Sequence, residues 1–171
     1  YIITLDGGTT NTRAYLWRQD GSFVSSKKER AGVRNTAMDG SDQVIRETVK
    51  RCIDGLIEES HIEESQVQGI FCSGMLTSNV GLEEIPYLCA PVDERALCNA
   101  IECRFFSDIT RIPFYMIPGV RNHVENIGID TLEQMDVMRG EETEAVALLR
   151  ERGKGEDLIF VLPGSHTKII Y

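Results

Sequence analysis

The sequence lacks a long apolar run and an excess of positive charge. No hydrophobic stretch approaches the roughly 20 residues that a membrane-spanning helix needs, so we expect no membrane association. The 18 Lys and Arg residues are outnumbered by 27 Asp and Glu residues, and the net charge is −9. Because affinity for nucleic acid depends on neutralising phosphates with Lys and Arg, this balance argues against a nucleic-acid partner.

Paired cysteine spacing is also missing. The cysteines form an odd set without metal-ligand spacing: Cys52, Cys72, Cys89, Cys98 and Cys103. Such a set favours reduced thiols, so we expect a cytoplasmic protein. With 42% hydrophobic and 26% charged residues, the composition is that of an ordinary globular domain.

Two common nucleotide-binding motifs are absent as well. There is no Walker-type GxxxxGK[ST], and the stretch GKG at 153–155 lacks the third glycine and the preceding strand of a dinucleotide fingerprint. Ser165 and Lys168 fit the S-x-x-K pattern of penicillin-binding hydrolases, but they lie between two β-runs rather than at the start of a helix. A phosphate site in this chain therefore has to use another kind of loop.

The best candidate for such a loop is DGGTTNTR, from Asp6 to Arg13, between two apolar runs. A strand that ends in an acid and turns through glycines and hydroxyl residues offers phosphate a row of backbone amides. The alternative is a plain hairpin, which a Gly-Gly turn between apolar runs also predicts. A second loop of the same kind, PGSHTK over 163–168, favours two phosphate loops.

Strand and helix signals alternate along the chain. Three β-runs joined by a Gly-Gly turn and an Asp-Gly turn predict a β-meander. A helix with apolar residues at helical spacing follows, and strands then alternate with helices. The predicted elements are Tyr1–Leu5, Arg13–Trp17, Ser22–Lys28, Asp42–Glu59, Val67–Cys72, Glu94–Ile101, Phe114–Ile117 and Arg139–Arg152. This order predicts an α/β fold in which helices flank a mixed sheet.

Several segments together resemble a known family. Besides the first loop they are SGMLTSNVG (73–81), PY (86–87), IPG (117–119), DVMRGEET (136–143) and PGSHTK (163–168). In kind and order they are similar to segments of the 2-dehydro-3-deoxygalactonokinases, members of the sugar kinase, Hsp70 and actin superfamily with ribonuclease-H-like lobes. The resemblance implies transfer of phosphate from ATP to the terminal hydroxyl of 2-keto-3-deoxygalactonate, with Mg²⁺ as cofactor. The expected partners are a small-molecule sugar acid and ATP.

The resemblance also implies a domain organisation. A chain of 171 residues is large enough for one well-buried lobe but not for two. We expect a first ribonuclease-H-like lobe over residues 1–152 and the opening hairpin of a second lobe over residues 153–171. The chain would then be a fragment, truncated before the second lobe is complete and inactive alone.

By resemblance, the two loops bind the ATP phosphates and Asp6 belongs to the Mg²⁺ shell, since this ion prefers oxygen ligands and keeps several waters. The phosphate-binding candidates supply amides, hydroxyls or a cation: Gly7, Gly8, Thr9, Thr10, Asn11, Arg13, Gly164, Ser165, His166, Thr167 and Lys168. Cations that flank a strand are more often surface residues, which is the alternative for Arg13 and Lys168.

Two adjacent acids are the candidates for the catalytic base. Glu141 takes the place of the acid in the Gly-Asp pair that opens the corresponding helix of related carbohydrate kinases, so it is predicted ahead of Glu142. The alternative is that both acids only complement the positive end of the helix dipole.

A sugar acid needs a cation and several hydrogen-bond donors around it. A donor-rich turn after the buried strand supplies five candidates, and an arginine before the presumed base supplies the carboxylate partner: Gly74, Met75, Thr77, Ser78, Asn79 and Arg139. The alternative for residues 77–79 is a helix cap or turn, because these residue types commonly cap helices and form turns.

Two functional classes remain open. The first is a kinase for 2-keto-3-deoxy sugar acids, and the second is a non-catalytic sensor of sugar acids or nucleotides on the same fold, since fold does not fix function. The acids Asp6, Glu141 and Glu142 favour the kinase, because a sensor has less need of them.

Overall fold

The computed structural model describes residues 1–126, 128–152, 157–163 and 167–170, with the side chains of Asn35 and Asp39 excepted. The chain divides into two compact units. The first comprises Tyr1–Ile85 and Ile101–Ile117, and the second comprises Pro86–Ala100 and Pro118–Tyr171. The predicted division into a lobe over 1–152 and a hairpin over 153–171 stays a prediction.

In chain order the strands are β1 (Ile2–Gly7), β2 (Thr12–Trp17), β3 (Phe23–Glu29), β4 (Ile70–Gly74), β5 (Leu88–Cys89), β6 (Glu102–Arg104), β7 (Phe114–Met116), β8 (Val120–Arg121), β9 (Val137–Met138), β10 (Phe160–Leu162) and β11 (Lys168–Ile170). The helices are α1 (Val33–Asp39), α2 (Gln43–Glu59), α3 (Glu94–Asn99) and α4 (Glu141–Arg152), with short 3-10 helices at Glu64–Gln66, Met75–Thr77 and Ile129–Gln134.

A six-stranded mixed sheet forms the centre of the first unit. Its order is β3-β2-β1-β4-β7-β6, with an antiparallel meander on one side, parallel pairing of β1, β4 and β7, and an antiparallel edge at β6. Side chains of β1 and β2 alternate between buried and half-buried positions, as the two-residue period of a strand requires. The expected α/β architecture with a mixed sheet is confirmed.

Helix α2 covers this sheet with one apolar stripe. Ile45, Val49, Cys52, Ile53 and Leu56 are at most 1% exposed and recur every three or four residues, which is the spacing of one helical face. They join Ile3, Leu5, Ile70 and Phe114 in one core cluster. Burial of this stripe stabilises a helix whose N-cap residue, Asp42, makes no side-chain capping bond.

The second unit contains two small sheets. Strands β5, β8 and β9 form a three-stranded sheet, with β5 and β8 parallel and β9 antiparallel to β8. Strands β10 and β11 pair antiparallel, which confirms the strands predicted around the second loop.

Two predicted elements begin two or three residues later than predicted. The strand predicted at Val67 begins at Ile70, because Glu64–Gln66 forms a 3-10 helix that Val67 ends. The helix predicted from Arg139 begins at Glu141, because Gly140 has φ of 117° and this backbone conformation cannot continue a right-handed helix. In the described part of the chain, no helix is long and apolar enough to span a membrane.

Candidate functional site

The first predicted loop is a tight turn with unpaired amides. Pairing of Gly7 with Thr12 closes a turn over residues 8–11, and Gly8 N–H donates to the Asn11 carbonyl over 2.8 Å. Within the described part of the chain, the backbone amides of Thr9, Thr10 and Asn11 have no acceptor. Successive amides in this state form a concavity suited to an anion.

The carbonyls of this turn accept hydrogen bonds from the start of helix α1. Gly8 O and Thr9 O accept bonds from the amides of Val33 and Arg34, at 3.3 and 3.0 Å, in the first turn of α1. A Cβ on Gly32 would lie 2.4 Å from Gly8 O, so this approach requires glycine. The turn is therefore held by its carbonyls. Gly32 was not predicted from the sequence, because its contact with the Gly8 carbonyl is tertiary and no local sequence pattern indicates it.

Asp6 and Arg13 lie opposite each other at the base of the turn. They are cross-strand partners, and Arg13 Nη1 donates to Asp6 Oδ2 over 2.9 Å. Both side chains are about two-fifths exposed, at 43% and 41%, so neither is committed to the core. Among the described residues, no group of three or more His, Cys, Asp and Glu side chains is placed to hold a metal ion. Asp6 alone fits a metal that keeps most of its waters.

The predicted substrate turn adjoins this loop. Gly74 pairs with Gly7 across β1 and β4, and its φ of 69° brings its backbone so close that a Cβ would lie 2.6 Å from Gly7 O. Thr77 Oγ1 donates to Gly74 O over 3.1 Å, and Ser78 Oγ donates to Met75 O over 2.7 Å. These two hydroxyls are buried and stabilise the turn, while Asn79 is exposed. Their substrate-binding role stays a prediction.

In the second unit, three motif segments meet at one end of the three-stranded sheet. Tyr87 precedes β5, Gly119 precedes β8 and Arg139 follows β9. Leu88 N–H donates to Gly119 O over 2.9 Å. The Arg139 guanidinium carbon lies 4.1 Å from the centroid of the Tyr87 ring, which is a close cation–π contact. Arg139 is only 9% exposed.

The two candidate bases differ in environment. Glu141 Oε2 accepts a bond from the Arg139 amide over 2.9 Å. Both carboxylate oxygens of Glu142 accept from the Gly140 amide, at 2.9 and 2.7 Å, and this residue is 2% exposed. Burial raises the pKa of the Glu142 carboxyl to about 7; the Glu141 charge acts in the same direction, while the amide bonds and Arg139 oppose it.

The remaining predicted residues belong to the second loop. Gly164, Ser165 and His166 lie outside the described residues. Thr167 is exposed, and Lys168 forms an ion pair with Asp136. Their phosphate-binding role stays a prediction.

Comparison with known proteins identifies the family. The model of the 2-keto-3-deoxy-galactonokinase family matches residues 6–171. The chain belongs to the 2-keto-3-deoxy-galactonokinase family. This confirms the resemblance found in the sequence, and the match spans segments of both units.

The chain is similar in sequence to two curated kinases of this family. The chain is 30% identical over 167 residues to the 2-dehydro-3-deoxygalactonokinase of Escherichia coli (strain K12), covering 97% of this chain and 47% of the relative. It is 23% identical over 168 residues to a Rhizobium meliloti (strain 1021) protein named "Probable 2-dehydro-3-deoxygalactonokinase DgoK1", covering 98% and 48%. The chain thus spans about half the length of the curated relatives it matches.

A solved structure supports the fold of this kinase family. A crystal structure of a Sinorhizobium meliloti protein that carries the same kinase name superposes with a TM-score of 0.73 at 20% identity, covering 99% of this chain and 50% of that one. At this identity the likeness establishes the fold alone.

Proposed function

We propose that the full-length gene product phosphorylates the terminal hydroxyl of 2-keto-3-deoxygalactonate with ATP. The observation that carries the proposal is the family match over residues 6–171. The geometry supports it with a turn of open amides in the first unit and a buried carboxyl beside an arginine in the second.

In the first unit, the turn over residues 8–11 is proposed to receive ATP phosphates. The amides of Thr9, Thr10 and Asn11 would donate to phosphate oxygens, as in other backbone anion sites. Arg13 would neutralise charge that builds on the phosphates, and Asp6 would hold the hydrated Mg²⁺. When bound, this ion would offset negative charge on the transferring phosphoryl group.

In the second unit, Glu142 is proposed as the proton acceptor for the sugar hydroxyl. A general base works best when its pKa lies near the operating pH, and burial gives the Glu142 carboxyl a pKa of about 7. Motif order favoured Glu141, but that residue is less buried than Glu142. Arg139 is proposed to bind the sugar carboxylate, because a guanidinium fork matches a carboxylate in geometry and charge.

The reaction is tested by measuring ADP release from the full-length gene product. The assay uses Mg²⁺-ATP with 2-keto-3-deoxygalactonate, its gluconate epimer and free hexoses. We expect turnover with the galacto sugar acid and much weaker turnover with neutral hexoses. Turnover only with another acceptor would replace the substrate. Binding of the sugar acid without ADP release would favour a sensor.

The amide turn has its own test in Gly32→Ala. The added Cβ would lie 2.4 Å from Gly8 O, so the turn has to shift. We expect the affinity for Mg²⁺-ATP to fall by roughly tenfold or more, with a loss of about 1–3 kcal/mol in the free energy of unfolding. Calorimetric titration and urea unfolding measure the two effects.

Gly128→Ala is the matched control, because a Cβ there meets nothing within 4 Å. It should leave ATP affinity unchanged. Normal ATP binding by Gly32→Ala would show that the turn does not bind the phosphates.

A further inference from the structure

The Tyr87 ring contacts the guanidinium of Arg139, the proposed partner of the sugar carboxylate. The ring is half-buried, and it faces the guanidinium carbon at 4.1 Å from the ring centroid. Arg139 follows β9 and is 9% exposed, so its side chain is held within the unit. Contact with an aromatic face limits the orientations that the guanidinium can take.

A second contact holds the ring itself. A Cβ on Gly119 would lie 2.7 Å from Tyr87 Cε1 and 2.6 Å from Met138 O. The ring therefore lies directly against the backbone at Gly119, where any other residue would displace it. Leu88 N–H, next to the ring in sequence, donates to Gly119 O over 2.9 Å. Backbone and ring are thus both fixed at the end of the sheet where Arg139 follows β9.

The contact with the ring restricts the orientation of the guanidinium. The N–H bonds of a guanidinium lie in the plane of the group, and a carboxylate can accept two of them in parallel. A restricted orientation lowers the entropy lost when that bidentate pair forms. The contact would add little affinity for a neutral sugar, which has no carboxylate to accept two parallel bonds.

We propose that Tyr87 is a positioning residue that orients Arg139 for the carboxylate of the sugar acid. This inference rests on the proposed kinase function. It makes Tyr87 a determinant of selectivity for acids over neutral sugars, acting through Arg139.

The test compares Tyr87→Leu with Tyr87→Phe in the full-length gene product. Loss of the ring should raise the KM for the sugar acid roughly 5- to 30-fold, the range that a desolvated cation–π contact supports. The KM for ATP and the kcat should stay within about threefold. Tyr87→Phe keeps the ring, so its KM for the sugar acid should remain near that of the wild type.

Tyr115→Leu is the matched control. Tyr115 also stacks on a side chain, with its ring centroid 4.9 Å from that of Phe71, and it also lies against a glycine, 2.5 Å from a Cβ on Gly69. It belongs to the first unit and should leave the KM for the sugar acid unchanged. If Tyr115→Leu raised this KM by the same factor, the effect of Tyr87→Leu would be explained by general destabilisation and not by the orientation of Arg139.

A substrate analogue separates orientation from folding. The amide of the sugar acid lacks the anionic fork, so Tyr87→Leu should lose affinity for the acid but not for the amide. Should Tyr87→Leu fail to fold, Tyr87→Met is measured in the same way. An unchanged acid-to-amide ratio in an active variant overturns the inference and leaves the kinase intact, whereas an inactive wild type overturns the kinase and the inference with it.

Discussion

Glu142→Gln is expected to lower the turnover of the full-length gene product by about 10²–10⁴-fold, the usual contribution of a positioned base. The glutamine amide keeps an oxygen that can accept the bond from Gly140 N–H, so the start of α4 should be retained. What is lost is the ability to take the proton from the attacking hydroxyl. Turnover numbers from ADP release, with saturating ATP and sugar acid, measure the effect.

The pH dependence gives this prediction a second readout. A base must be deprotonated to act, and the pKa of the Glu142 carboxyl is about 7. In the wild type, kcat/KM should therefore rise tenfold per pH unit below about pH 7 and level off above it. The small residual activity of Glu142→Gln should lack this rise.

Glu141→Gln is the matched control. It makes the same chemical change at the adjacent residue, whose Oε2 accepts the Arg139 amide. We expect at most a tenfold loss, from weaker placement of Arg139. If Glu141→Gln lost more activity than Glu142→Gln, the base would be Glu141, as motif order indicates. If both variants stayed near wild-type turnover, neither acid would be the base.

The long periodic elements of the fold were predictable from the sequence. The meander consists of β-runs joined by turns that contain glycine, and α2 carries apolar residues at the 3.6-residue period that one buried face requires. The strands β5, β8 and β9 were not predicted, because each spans only two residues and shows no period. Helix α1 was not predicted either. It is only seven residues long, and its N-cap residue is Gly32, which has no side chain to form the capping bond that marks a helix start.

The candidate site was likewise predictable only in part. Its motif segments were predictable because each is contiguous in sequence. The features that distinguish their residues are tertiary. Tyr87 meets Arg139 only because β5 and β9 belong to one sheet, and Gly32 meets the first turn because the amides at the start of α1 bond to the carbonyls of that turn. The difference between Glu141 and Glu142 depends on which side of the helix start is buried, and residue type alone does not report it.

Stability should fall as the pH rises through the range in which Glu142 ionises. The pKa of its carboxyl is about 7 in the folded protein against an ordinary 4.5, so the folded state binds more protons than the unfolded state between these values. The free energy of unfolding therefore decreases from about pH 4.5 to pH 7 and is constant in this contribution above it. The full difference corresponds to at most about 3 kcal/mol.

Glu142→Gln should remove this dependence. Urea unfolding of variant and wild type should give similar stabilities at pH 5, where the wild-type carboxyl is protonated, and a more stable variant at pH 8, by up to about 3 kcal/mol. Glu141→Gln, on the adjacent and less buried side chain, is the matched control. A variant that is less stable than wild type at pH 8 would mean that the ionised carboxylate gains more from the Gly140 amide than burial costs it. A variant that is more stable than wild type at pH 8 would instead mean that ionised Glu142 destabilises the folded protein at the pH where a base is required. A purely structural role for this glutamate would not explain why a destabilising residue is retained.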